Sequence, residues 1–577
     1  MNQIVIPILA VAATKQRKRE APKGRRVDPQ ALLEVQALLG TASRQADLLI
    51  EHLHLINDRY GQLAAPHLAA LAQEMHLAQT EVYEVATFYH HFDVVKEDVP
   101  GGVVSTVAPA ITVRVCDGLS CEMAGAKDLL ARLPGIFGHD VRVIPAPCIG
   151  RCEQAPAVVV GQHPVGNATV EAVTAKVVAK TTTHVPESFI DYATYQAHGG
   201  YALLQKCVDG SIDAETLIKT MEDSGLRGLG GAGFPAGRKW RIVRGEAAPR
   251  LMAINIDEGE PGTFKDRTYL ERDPHRFLEG MLVAGWVVNV SAIYIYLRDE
   301  YHGCRAMLEA ELAKLNANPP MPNMPQLHLR RGAGAYICGE ESAMIESIEG
   351  KRGMPRLRPP YVAQIGLFGR PTLEHNFESL HWVREILERG GEWFAGFGRN
   401  GRRGLRSFSV SGRVREPGVK LAPAGITVRE LVLEYCGGMA DGHDFYGYLP
   451  GGASGGILPA SMGDIPLDFD TLQPYGCFIG SAAVVVLSQH DSAVAAARNT
   501  MRFFADESCG QCTPCRAGTA KALDLIDASQ WDVALLGELS QVMRDASICG
   551  LGQAAPNPVD CVIKYFPHEL GNLRELP

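Results

Sequence analysis

Three cysteines stand close together in the stretch ESCGQCTPCR: Cys509, Cys512 and Cys515. Cysteine thiolates bind zinc and the iron atoms of iron–sulfur clusters, and both kinds of site usually take four protein ligands. The run therefore needs a fourth ligand from elsewhere in the chain. Cys549 is the best candidate, because Gly550 and Gly552 beside it would let the backbone wrap tightly around a bulky cluster.

The other distant cysteines are less suitable as a fourth ligand. Five of them are predicted to be buried in the core, since free cysteine is a common interior residue: Cys207, Cys304, Cys436, Cys477 and Cys561. A ferredoxin-type run places its fourth cysteine soon after the third and often gives it to another cluster. One distant ligand instead predicts a single [4Fe–4S] cluster.

Another set of cysteines occurs much earlier in the chain, as the pairs CDGLSC and CIGRC: Cys116, Cys121, Cys148 and Cys152. In chain order these four are the first cysteine set, and the run at 509–515 with its fourth ligand is the second. Each pair follows a predicted strand, so four thiolates are expected to converge from two neighbouring loops. Zinc usually takes more closely spaced pairs, whereas a two-iron cluster is longer than one ion and tolerates wider spacing. The spacing favours [2Fe–2S] over zinc and leaves inert core thiols as a third alternative.

A glycine-rich loop lies near the middle of the chain, in SGLRGLGGAGFPAGRKW (224–240). Gly228, Gly230 and Gly233 form a G-x-G-x-x-G pattern, but a helix-like segment precedes it where a dinucleotide fingerprint requires a strand. The pattern alone is therefore also compatible with an ordinary turn. Its glycines would let backbone N–H groups approach a phosphate or a flat ring, and Lys239 would add positive charge.

Acidic residues follow in two segments, INIDEGEPGTFKDR (254–267) and GAYICGEESAMIESIEGKRGMPRLRPPY (334–361). They comprise Asp257, Glu258, Glu260, Glu340 and Glu341. The first three stand where a predicted strand meets a loop, which is where doubly wound sheets bind ligands. Carboxylates at that place predict a pocket that accepts ribose hydroxyls and ring N–H donors.

The elements that position these residues divide the chain into sections. We predict a basic flexible tail (1–30), a helical segment (31–104), a small α/β domain (105–180), a section with a mainly parallel sheet (189–403), a short-strand section (404–490) and a helical end (491–577). A chain of 577 residues is expected to contain several such domains.

Composition excludes several classes of protein. The formal net charge of −9 disfavours a nucleic-acid-binding protein, and no stretch has the apolar length of a membrane span. The apolar start followed by basic residues does not fit a signal peptide. Clustered cysteines in a long chain indicate metal binding in a reducing compartment, so a cytoplasmic location is expected.

The segment EVATFYHHF followed by the two cysteine pairs resembles the thioredoxin-like [2Fe–2S] subunit of the complex I peripheral arm. The resemblance covers about residues 31–180. It implies that Cys116, Cys121, Cys148 and Cys152 bind one [2Fe–2S] cluster.

The glycine-rich loop, the two acidic segments and ESCGQCTPC…C, in this order, resemble the FMN- and NADH-binding flavoprotein subunit of complex I. The resemblance implies a [4Fe–4S] cluster on Cys509, Cys512, Cys515 and Cys549. It implies FMN or NADH contacts at Gly228, Gly230, Gly231, Phe234, Lys239, Asn255, Asp257, Glu258, Glu260, Gly339, Glu340, Glu341, Arg358, Tyr361 and Asn376. No protein residue is expected to be catalytic, because FMN is the reactive group, with Glu340 the best candidate to tune it.

Two positions depart from the family pattern. His375 precedes Asn376 where the family usually has a pair of asparagines, which puts the first flavin contact in doubt. Ile242 stands where the family often has phenylalanine, a change expected to adjust affinity only, since isoleucine still offers apolar area.

The resemblance implies a multidomain α/β fold. Its parts are a helical segment, a thioredoxin-like [2Fe–2S] domain, a Rossmann-like FMN- and NADH-binding domain, a β-grasp domain and a helical [4Fe–4S] domain. Fusion of the two modules in one chain is similar to the diaphorase subunits of NAD-reducing hydrogenases and to the β subunits of NAD-dependent formate dehydrogenases. The basic tail and VDPQALLEVQALLG most resemble the latter.

The implied activity is electron exchange between NAD(H) and a catalytic partner, most simply formate oxidation coupled to NAD⁺ reduction. The partner would carry a molybdenum or tungsten pterin centre and further iron–sulfur clusters. Alternatives are the diaphorase subunit of a hydrogenase and a fused NADH dehydrogenase module of complex I. The rival class is a non-enzymatic scaffold with zinc in both cysteine sets. In that class the order of the glycine, acidic and cysteine segments would be a coincidence.

Overall fold

A computed structural model describes residues 24–95 and 108–570 of the chain. Most of the predicted basic tail therefore lies outside the described residues. None of the helices within those ranges has both the length and the apolar character needed to cross a bilayer.

The predicted helical segment consists of α1 (Pro29–Leu39), α2 (Leu49–Tyr60), α3 (Ala65–Glu74) and α4 (Gln79–Phe88). Asp28 starts α1, since its Oδ1 accepts a hydrogen bond of 2.9 Å from the Ala31 N–H and Pro29 suits the first turn. Gly61 ends α2 with a φ of 70°, which favours glycine. The apolar faces of these helices share one core with Ala253 and Tyr296 of the largest domain, so the segment packs against that domain.

The thioredoxin-like domain is built from β1 (Ile111–Cys116), α5 (Leu119–Met123), α6 (Ala126–Phe137), β2 (Val141–Ala146), β3 (Val158–Val160), β4 (His163–Val165) and α7 (Val170–Val178). Its sheet has the order β2-β1-β3-β4, with β1 parallel to β2 and antiparallel to β3. Valines of β1 and β3 and leucines of α6 form a separate apolar core. Strand β1 ends at Cys116, which places the first cysteine pair at the carboxyl end of an inner strand of this sheet.

The largest domain contains a sheet flanked by helices. Its elements are α8 (Tyr192–Ala197), α9 (Ala202–Val208), α10 (Ala214–Ser224), α11 (Ala236–Arg244), β5 (Arg250–Ile256), α12 (Lys265–Leu270), α13 (Pro274–Val288), β6 (Val290–Leu297), α14 (His302–Ala317), β7 (Gln326–Arg331), α15 (Glu341–Ile348), β8 (Thr372–Asn376), α16 (Phe377–His381), α17 (Val383–Arg389) and α18 (Gly391–Ala395). Strands β5 and β6 are near-continuous apolar runs, as expected for a parallel sheet covered on both faces.

This sheet is entirely parallel and has the order β7-β6-β5-β8. The parallel sheet predicted from the sequence is thereby confirmed. The chain moves outward from β5 to β6 and β7, and then returns to place β8 on the other side of β5. The strand order therefore reverses between β5 and β8, and a crevice at such a reversal is the usual ligand site of open α/β sheets.

The short-strand section contains β9 (Leu405–Gly412), β10 (Gly418–Pro423), α19 (Val428–Glu430), β11 (Phe445–Leu449), β12 (Leu458–Pro459) and β13 (Ala483–Ser488). Its mixed sheet has the order β10-β9-β13-β11-β12, with β9 and β13 parallel. The β-grasp architecture stays a prediction with which this mixed sheet is compatible.

The helical end comprises α20 (Ala493–Asp506), α21 (Thr513–Ile526), α22 (Val533–Ala546), α23 (Gly550–Ala554), α24 (Asn557–Tyr565) and α25 (Pro567–Leu570). Val494 and Val559 of these helices share one apolar core with Phe408 and Val486 of the preceding sheet. The two sections that the sequence separates near residue 490 therefore pack as one body.

Candidate functional site

The reversal of strand order brings two asparagines together. Asn255 of β5 and Asn376 of β8 are paired neighbours at the carboxyl ends of the two parallel strands. The Asn255 amide donates a hydrogen bond of 2.9 Å to the Gly339 carbonyl, and the Asn376 amide donates one of 2.8 Å to Asp266. Both predicted contact residues therefore lie at the crevice with fixed orientations.

The glycine-rich loop folds over this crevice. Hydrogen bonds from the Gly228 N–H to the Phe234 carbonyl (2.8 Å) and from the Gly233 N–H to the Gly228 carbonyl (3.2 Å) close the loop upon itself. A Cβ on Gly230 would lie 2.9 Å from the Cβ of Asn376, and Gly231 has a φ of 117°. The glycines are therefore required for close approach and backbone conformation, and the turn is part of the site.

Charged side chains form one edge of the crevice. The Lys239 ammonium group lies 3.1 Å from a carboxylate oxygen of Glu374, and the Arg358 guanidinium group binds both Glu340 and Glu341, the latter at 2.8 Å. Burial, with Glu374 next in size, raises the pKa of Glu341, and Arg358 and Lys239 oppose that rise. The carboxylates of Glu340, Glu341 and Glu374 thus pair with the cations Lys239 and Arg358. A polar ligand can replace one partner in such a pair.

Asp257 lies in this crevice with one carboxylate oxygen that no described residue satisfies. Its Oδ2 atom is buried and has no hydrogen-bond partner among the described residues. Burial raises the pKa of this carboxyl group well above its ordinary value. A Cβ on Gly339 would lie 3.3 Å from the Asp257 carbonyl oxygen, so the two segments are in close contact. A buried carboxyl oxygen without a partner, next to backbone that carries glycine, suits a polar ring system that offers N–H or O–H donors.

Glu260 lies where the largest domain meets the short-strand section. One of its carboxylate oxygens accepts hydrogen bonds from the Ser454 N–H (2.8 Å) and hydroxyl (2.7 Å), and the other is bonded to the Tyr336 hydroxyl. A Cβ on Gly452 would lie 2.5 Å from Glu260 Cγ, so glycine is needed there. The carboxylate is held firmly by residues that sequence reasoning did not identify.

The Glu258 side chain contacts the start of α12 and Tyr301. Its carboxylate accepts hydrogen bonds from the backbone N–H groups of Asp266 (2.8 Å) and Arg267 (3.1 Å) and from the Tyr301 hydroxyl (2.7 Å). These bonds satisfy the first turn of α12. The side chain is buried and its oxygens are occupied, so the structure gives Glu258 a positioning role where the sequence suggested a cofactor contact.

A buried ion-pair network beneath Asn376 was not identified from the sequence. The Lys265 ammonium group lies 2.9 Å from a carboxylate oxygen of Asp266 and 2.9 Å from one of Glu378. Asp266 in turn accepts the hydrogen bond of the Asn376 amide. The signal available in the sequence was the pair Lys265-Asp266, two adjacent charged residues within the acidic segment 254–267.

His375 does not take the place of the first asparagine of the family pattern. Its Nε2 atom accepts a hydrogen bond of 2.8 Å from the Trp240 indole, and burial lowers its pKa well below the ordinary value. Side chains alternate along a strand, so His375 and Asn376 point to opposite faces of the sheet. Phe234, Ile242 and Tyr361 are partly exposed, with exposed fractions of 39%, 41% and 56%.

The second cysteine set surrounds a small cavity in the helical end. The cavity is lined by Cys509, Cys512, Cys515 and Cys549, together with the apolar side chains of Ile337, Pro355, Ile548 and Leu551. Burial raises the pKa of Cys515 to about 11 and that of Cys549 to about 12. Such thiols need bound metal to become thiolates, which fits a cluster site enclosed by apolar residues.

The two glycines beside Cys549 differ in their surroundings. A Cβ on Gly552 would lie 2.5 Å from the Ser547 hydroxyl oxygen and 2.8 Å from Cys515 Cβ, whereas a Cβ on Gly550 would meet nothing within 4 Å. Gly552 therefore permits the close approach of α23 to the first turn of α21, and Gly550 does not contribute to it.

The first cysteine set is buried between the thioredoxin-like domain and the largest domain. The sulfur atoms of Cys148 and Cys152 are 3.4 Å apart, and Cys116 is within hydrogen-bonding reach of Cys121 and Cys148. The pairs predicted from the sequence therefore converge. Phe264 packs on Cys148 and Cys152, so the loop lies against the acidic segment of the crevice.

One short turn connects the crevice to the second cysteine set. Residues Tyr336–Gly339 form this turn. Ile337 lines the cysteine cavity, and Gly339 and Glu340 lie at the crevice. Helix α20 connects the two cysteine sets, because Asn499 donates to the Asp117 carbonyl (2.9 Å) beside Cys116 and Phe503 packs on Tyr336. The three sites are thus joined by direct contacts.

Three family profiles match the chain. They describe a Nuo51 FMN-binding domain at residues 221–385, an NADH-ubiquinone oxidoreductase-F iron-sulfur binding region at 495–573, and a thioredoxin-like [2Fe-2S] ferredoxin at 35–181. The chain therefore has an FMN-binding domain, a [4Fe–4S] region and a [2Fe–2S] domain. The multidomain α/β fold and these cofactors, expected from the sequence, are confirmed.

Two curated proteins show the extent of the relationship. An NADH-quinone oxidoreductase subunit of Rhizobium meliloti is 40% identical over 400 residues, which are 67% of this chain and 94% of that protein. The mitochondrial NADH dehydrogenase [ubiquinone] flavoprotein 1 of Dictyostelium discoideum is 41% identical over 65% of this chain and 81% of its own length.

A solved structure extends the similarity to nearly the whole chain. A chain of an NAD⁺-reducing [NiFe]-hydrogenase in the H₂-reduced state matches with a TM-score of 0.79 and 32% identity, over 92% of this chain and 93% of that chain. The same arrangement of modules thus occurs in that enzyme. On these grounds the chain belongs to the family of FMN- and iron–sulfur-binding subunits of NADH dehydrogenases, of the 51 kDa flavoprotein type.

Proposed function

We propose that the crevice between β5 and β8 holds FMN. The contact residues would be Gly228, Gly230, Gly231, Lys239, Asn255, Asp257, Gly339, Glu340 and Asn376. The observation that carries this proposal is the orphaned carboxyl oxygen of Asp257, which lies beside Gly339 at the reversal of strand order. Glu258 is left out of the set, because its oxygens are engaged by α12 and Tyr301.

NADH would bind over the outer side of the glycine-rich loop. Phe234 is partly exposed there and would stack on the nicotinamide ring, while Tyr361 offers an exposed ring further out. Glu260, Glu341 and Arg358 would supply the polar contacts. The charge of Arg358 is shared between two carboxylates in this structure, so a phosphate of NADH can take over one of those interactions.

Bound FMN would accept a hydride from NADH and release its electrons one at a time, which is chemistry that the cofactor supplies. The protein residues would orient the rings, exclude water and fix distances. Glu340 is the candidate to influence the flavin, since its carboxylate is already fixed by the Ser342 and Ala343 N–H groups, each at 2.9 Å.

Cys509, Cys512, Cys515 and Cys549 would hold one [4Fe–4S] cluster, which would supply one-electron exchange with a partner. The turn Tyr336–Gly339 supports the pairing of this site with the crevice, because it contributes to both. Cys116, Cys121, Cys148 and Cys152 would hold the [2Fe–2S] cluster on the other side of the crevice. The chain would thus exchange electrons between NAD(H) and a partner subunit.

We further propose formate as the terminal donor, so that the whole complex converts formate and NAD⁺ to CO₂ and NADH. This step rests on the sequence resemblance of VDPQALLEVQALLG, which forms α1 and its cap. The partner would carry a molybdenum or tungsten pterin centre and further iron–sulfur clusters. The clustered thiols are consistent with a complex in a reducing, cytoplasmic setting.

A second candidate is the diaphorase subunit of a hydrogenase. The specific observation in its favour is the match to an NAD⁺-reducing [NiFe]-hydrogenase over 92% of this chain. Both candidates require the same flavin and cluster sites and differ only in the metal of the partner.

Metal analysis of the native complex, purified through a tag on this chain, tests the proposal. Molybdenum or tungsten beside iron, together with formate-dependent reduction of NAD⁺, would support formate oxidation. Nickel with hydrogen-dependent NAD⁺ reduction would replace it with the hydrogenase alternative. Iron alone, with NADH oxidation but neither of those activities, would indicate an NADH dehydrogenase module instead.

A further inference from the structure

A group of possible metal ligands lies away from the flavin and cluster sites. His54, Asp58 and His91 each offer a ligand atom, and these atoms all lie within 4.8 Å of one another. In the described part of the chain this is the one such group of three or more histidine, cysteine, aspartate or glutamate residues. His54 and Asp58 stand on α2, and His91 follows α4, so two elements contribute.

The outer hydrogen bonds of the two histidines determine which nitrogen carries hydrogen. His54 Nε2 lies 2.9 Å from the Gly332 carbonyl oxygen, and His91 Nδ1 lies 2.8 Å from an Asp299 carboxylate oxygen. Carbonyl and carboxylate oxygens accept hydrogen bonds, so these two nitrogens must donate. In the neutral rings, His54 Nδ1 and His91 Nε2 then carry lone pairs.

These two nitrogens have no protein partner among the described residues. Both His54 Nδ1 and His91 Nε2 are buried without a hydrogen-bond partner, and only 2% of His54 is exposed. The two rings have centroids 5.0 Å apart, and buried lone pairs in rings so close together are unfavourable unless a cation or a hydrogen-bond donor lies between them.

The charged side chains around this group allow a cation to bind. Arg331 is bonded to Asp58 and to Asp299, so one cation faces two carboxylates before any metal is added. Arg305 lies 3.9 Å from Asp299, at the far edge of this group. A carboxylate has lone pairs for several partners, so Asp58 can bind Arg331 and a metal at once.

We propose that His54, Asp58 and His91 bind one divalent transition-metal ion of the zinc class, with water as the fourth ligand. Two neutral imidazoles and one carboxylate form a common ligand set for such an ion. Asp299 and the Gly332 carbonyl are the outer partners, and partners of this kind orient the ligating rings.

An entry path and a space for water are present. Asp58 and His91 line a cavity of roughly 510 Å³. The Asp58 side chain is 41% exposed, which gives a metal ion access from solvent. The two histidines lie behind it.

The site would have a structural role. Its ligands belong to the helical segment, whereas Asp299 and Gly332 follow β6 and β7 of the largest domain. The ion would therefore secure the helical segment to the FMN-binding domain, next to the apolar core that they already share. Zinc has no redox chemistry, so it would take no part in electron transfer.

Zinc content of the full chain with FMN and both clusters in place provides the test. The protein is incubated with zinc chloride, passed through a desalting column and analysed for zinc and iron. We expect about one zinc per chain in the wild type and a tenfold lower content in His91→Gln and Asp58→Asn. Iron and flavin contents report whether each variant is folded.

His52→Gln is the matched control. His52 stands on the same helix, is equally buried, and has one nitrogen bonded to the Ser43 carbonyl at 2.8 Å and an unpartnered Nδ1, yet it lies outside the group. The variant should keep its zinc.

Equal zinc content in the wild type and the His91→Gln and Asp58→Asn variants, or no bound zinc in an iron-replete wild type, would overturn the proposal. An anomalous difference map at the zinc edge locates the ion. A peak between the histidines supports the site, and zinc found at the cysteines alone refutes it.

Discussion

At the residue scale, the carboxylates of the acidic segment differ by what their oxygens contact. Asp257 has an unpartnered oxygen, Glu258 caps a helix, and Glu260 is held by Ser454 and Tyr336. Residue type alone gives no basis for these distinctions, because all three carboxylates belong to one short run. Their roles follow from which groups the fold places around each.

Substitution of Glu260 tests the NADH side of the crevice. In Glu260→Gln the charge is lost while the shape is kept, and we expect KM for NADH to rise roughly tenfold or more, since hydrogen bonds to charged groups contribute about 1.5–3 kcal/mol. The FMN content should not change. Steady-state kinetics and flavin analysis measure the two effects.

The control for this experiment is Glu222→Gln, which removes an exposed carboxylate paired with Arg241 on the outer side of α10. It should leave KM unchanged. Equal loss of FMN and NADH binding in Glu260→Gln would move Glu260 into the flavin site.

Substitution of Cys549 tests the exit route. Cys549→Ser should lose the [4Fe–4S] cluster and electron delivery to the partner, because a serine hydroxyl is a poor substitute for a thiolate ligand. NADH-dependent bleaching of the flavin should persist. Low-temperature EPR and stopped-flow absorbance measure the two properties, and delivery at the wild-type rate would contradict the assignment. Cys436→Ser, a core cysteine outside both sets, is the control.

At the element scale, the site depends on where strands and turns end. Asn255 and Asn376 stand at the ends of strands that are far apart in sequence and adjacent in the sheet. The turn Tyr336–Gly339 holds the crevice and the cysteine cavity together. These strand ends and this short turn thus place the crevice and the cysteine cavity next to each other.

The two glycines of α23 give a prediction at this scale. Gly552→Ala should reduce the [4Fe–4S] content severalfold or more, because its Cβ would lie 2.8 Å from Cys515 Cβ and would push α23 away from α21. Overpacking of this kind costs about 1–3 kcal/mol. Gly550→Ala should retain the cluster, since a Cβ there meets nothing within 4 Å. Iron analysis compares them, and equal cluster content would exclude close packing as the reason for glycine.

At the scale of the whole molecule, arginines join the thioredoxin-like domain to the largest domain. Arg298 donates hydrogen bonds to the carbonyls of Cys148 (2.5 Å) and Glu258, and Arg267 donates one of 2.8 Å to the Gly150 carbonyl. A Cβ on Gly150 would lie 2.3 Å from the Tyr301 hydroxyl oxygen, so the cysteine loop is closely packed on that domain. Glu258 lies beneath this junction.

The pH dependence of stability tests that junction. Burial is the main reason that the pKa of Glu258 is raised from 4.5 to about 7. The folded state therefore keeps a proton that the unfolded state releases near its ordinary pKa. The stabilising contribution is complete below that value and is lost as the pH rises through about 7.

Glu258→Gln removes this titration. The thermal midpoint of the wild type should fall from pH 5 to pH 8 more steeply than that of the variant. The corresponding difference in the free energy of unfolding is up to about 3 kcal/mol. Scanning calorimetry at one scan rate measures both proteins. Parallel pH profiles would show that Glu258 does not titrate in this range. Glu246→Gln, in the turn after α11, is the control, and its profile should match the wild type.

Part of the fold follows from local pattern. The run VSAIYIYL (290–297) predicts a strand with the observed bounds of β6. The runs AITVRVC (110–116) and RLMAINID (250–257) predict strands that exceed β1 and β5 by one residue at one end. Apolar runs bounded by turns specify such strands, because each residue is buried on one face or the other. The helical segment is likewise evident from its apolar spacing, but the domain on which it packs is not.

The chain's membership of its family and its cofactors were determined by the sequence itself. Thiol spacing and the ordered glycine and acidic segments are local chemical properties, and they do not require knowledge of long-range contacts. The tertiary structure alone decided that Glu258 caps α12, that His375 accepts a hydrogen bond from Trp240, and that the neighbouring rings of His54 and His91 each keep a buried nitrogen without a partner among the described residues. These features join residues distant in sequence, and only packing fixes which of their polar atoms remain without a partner.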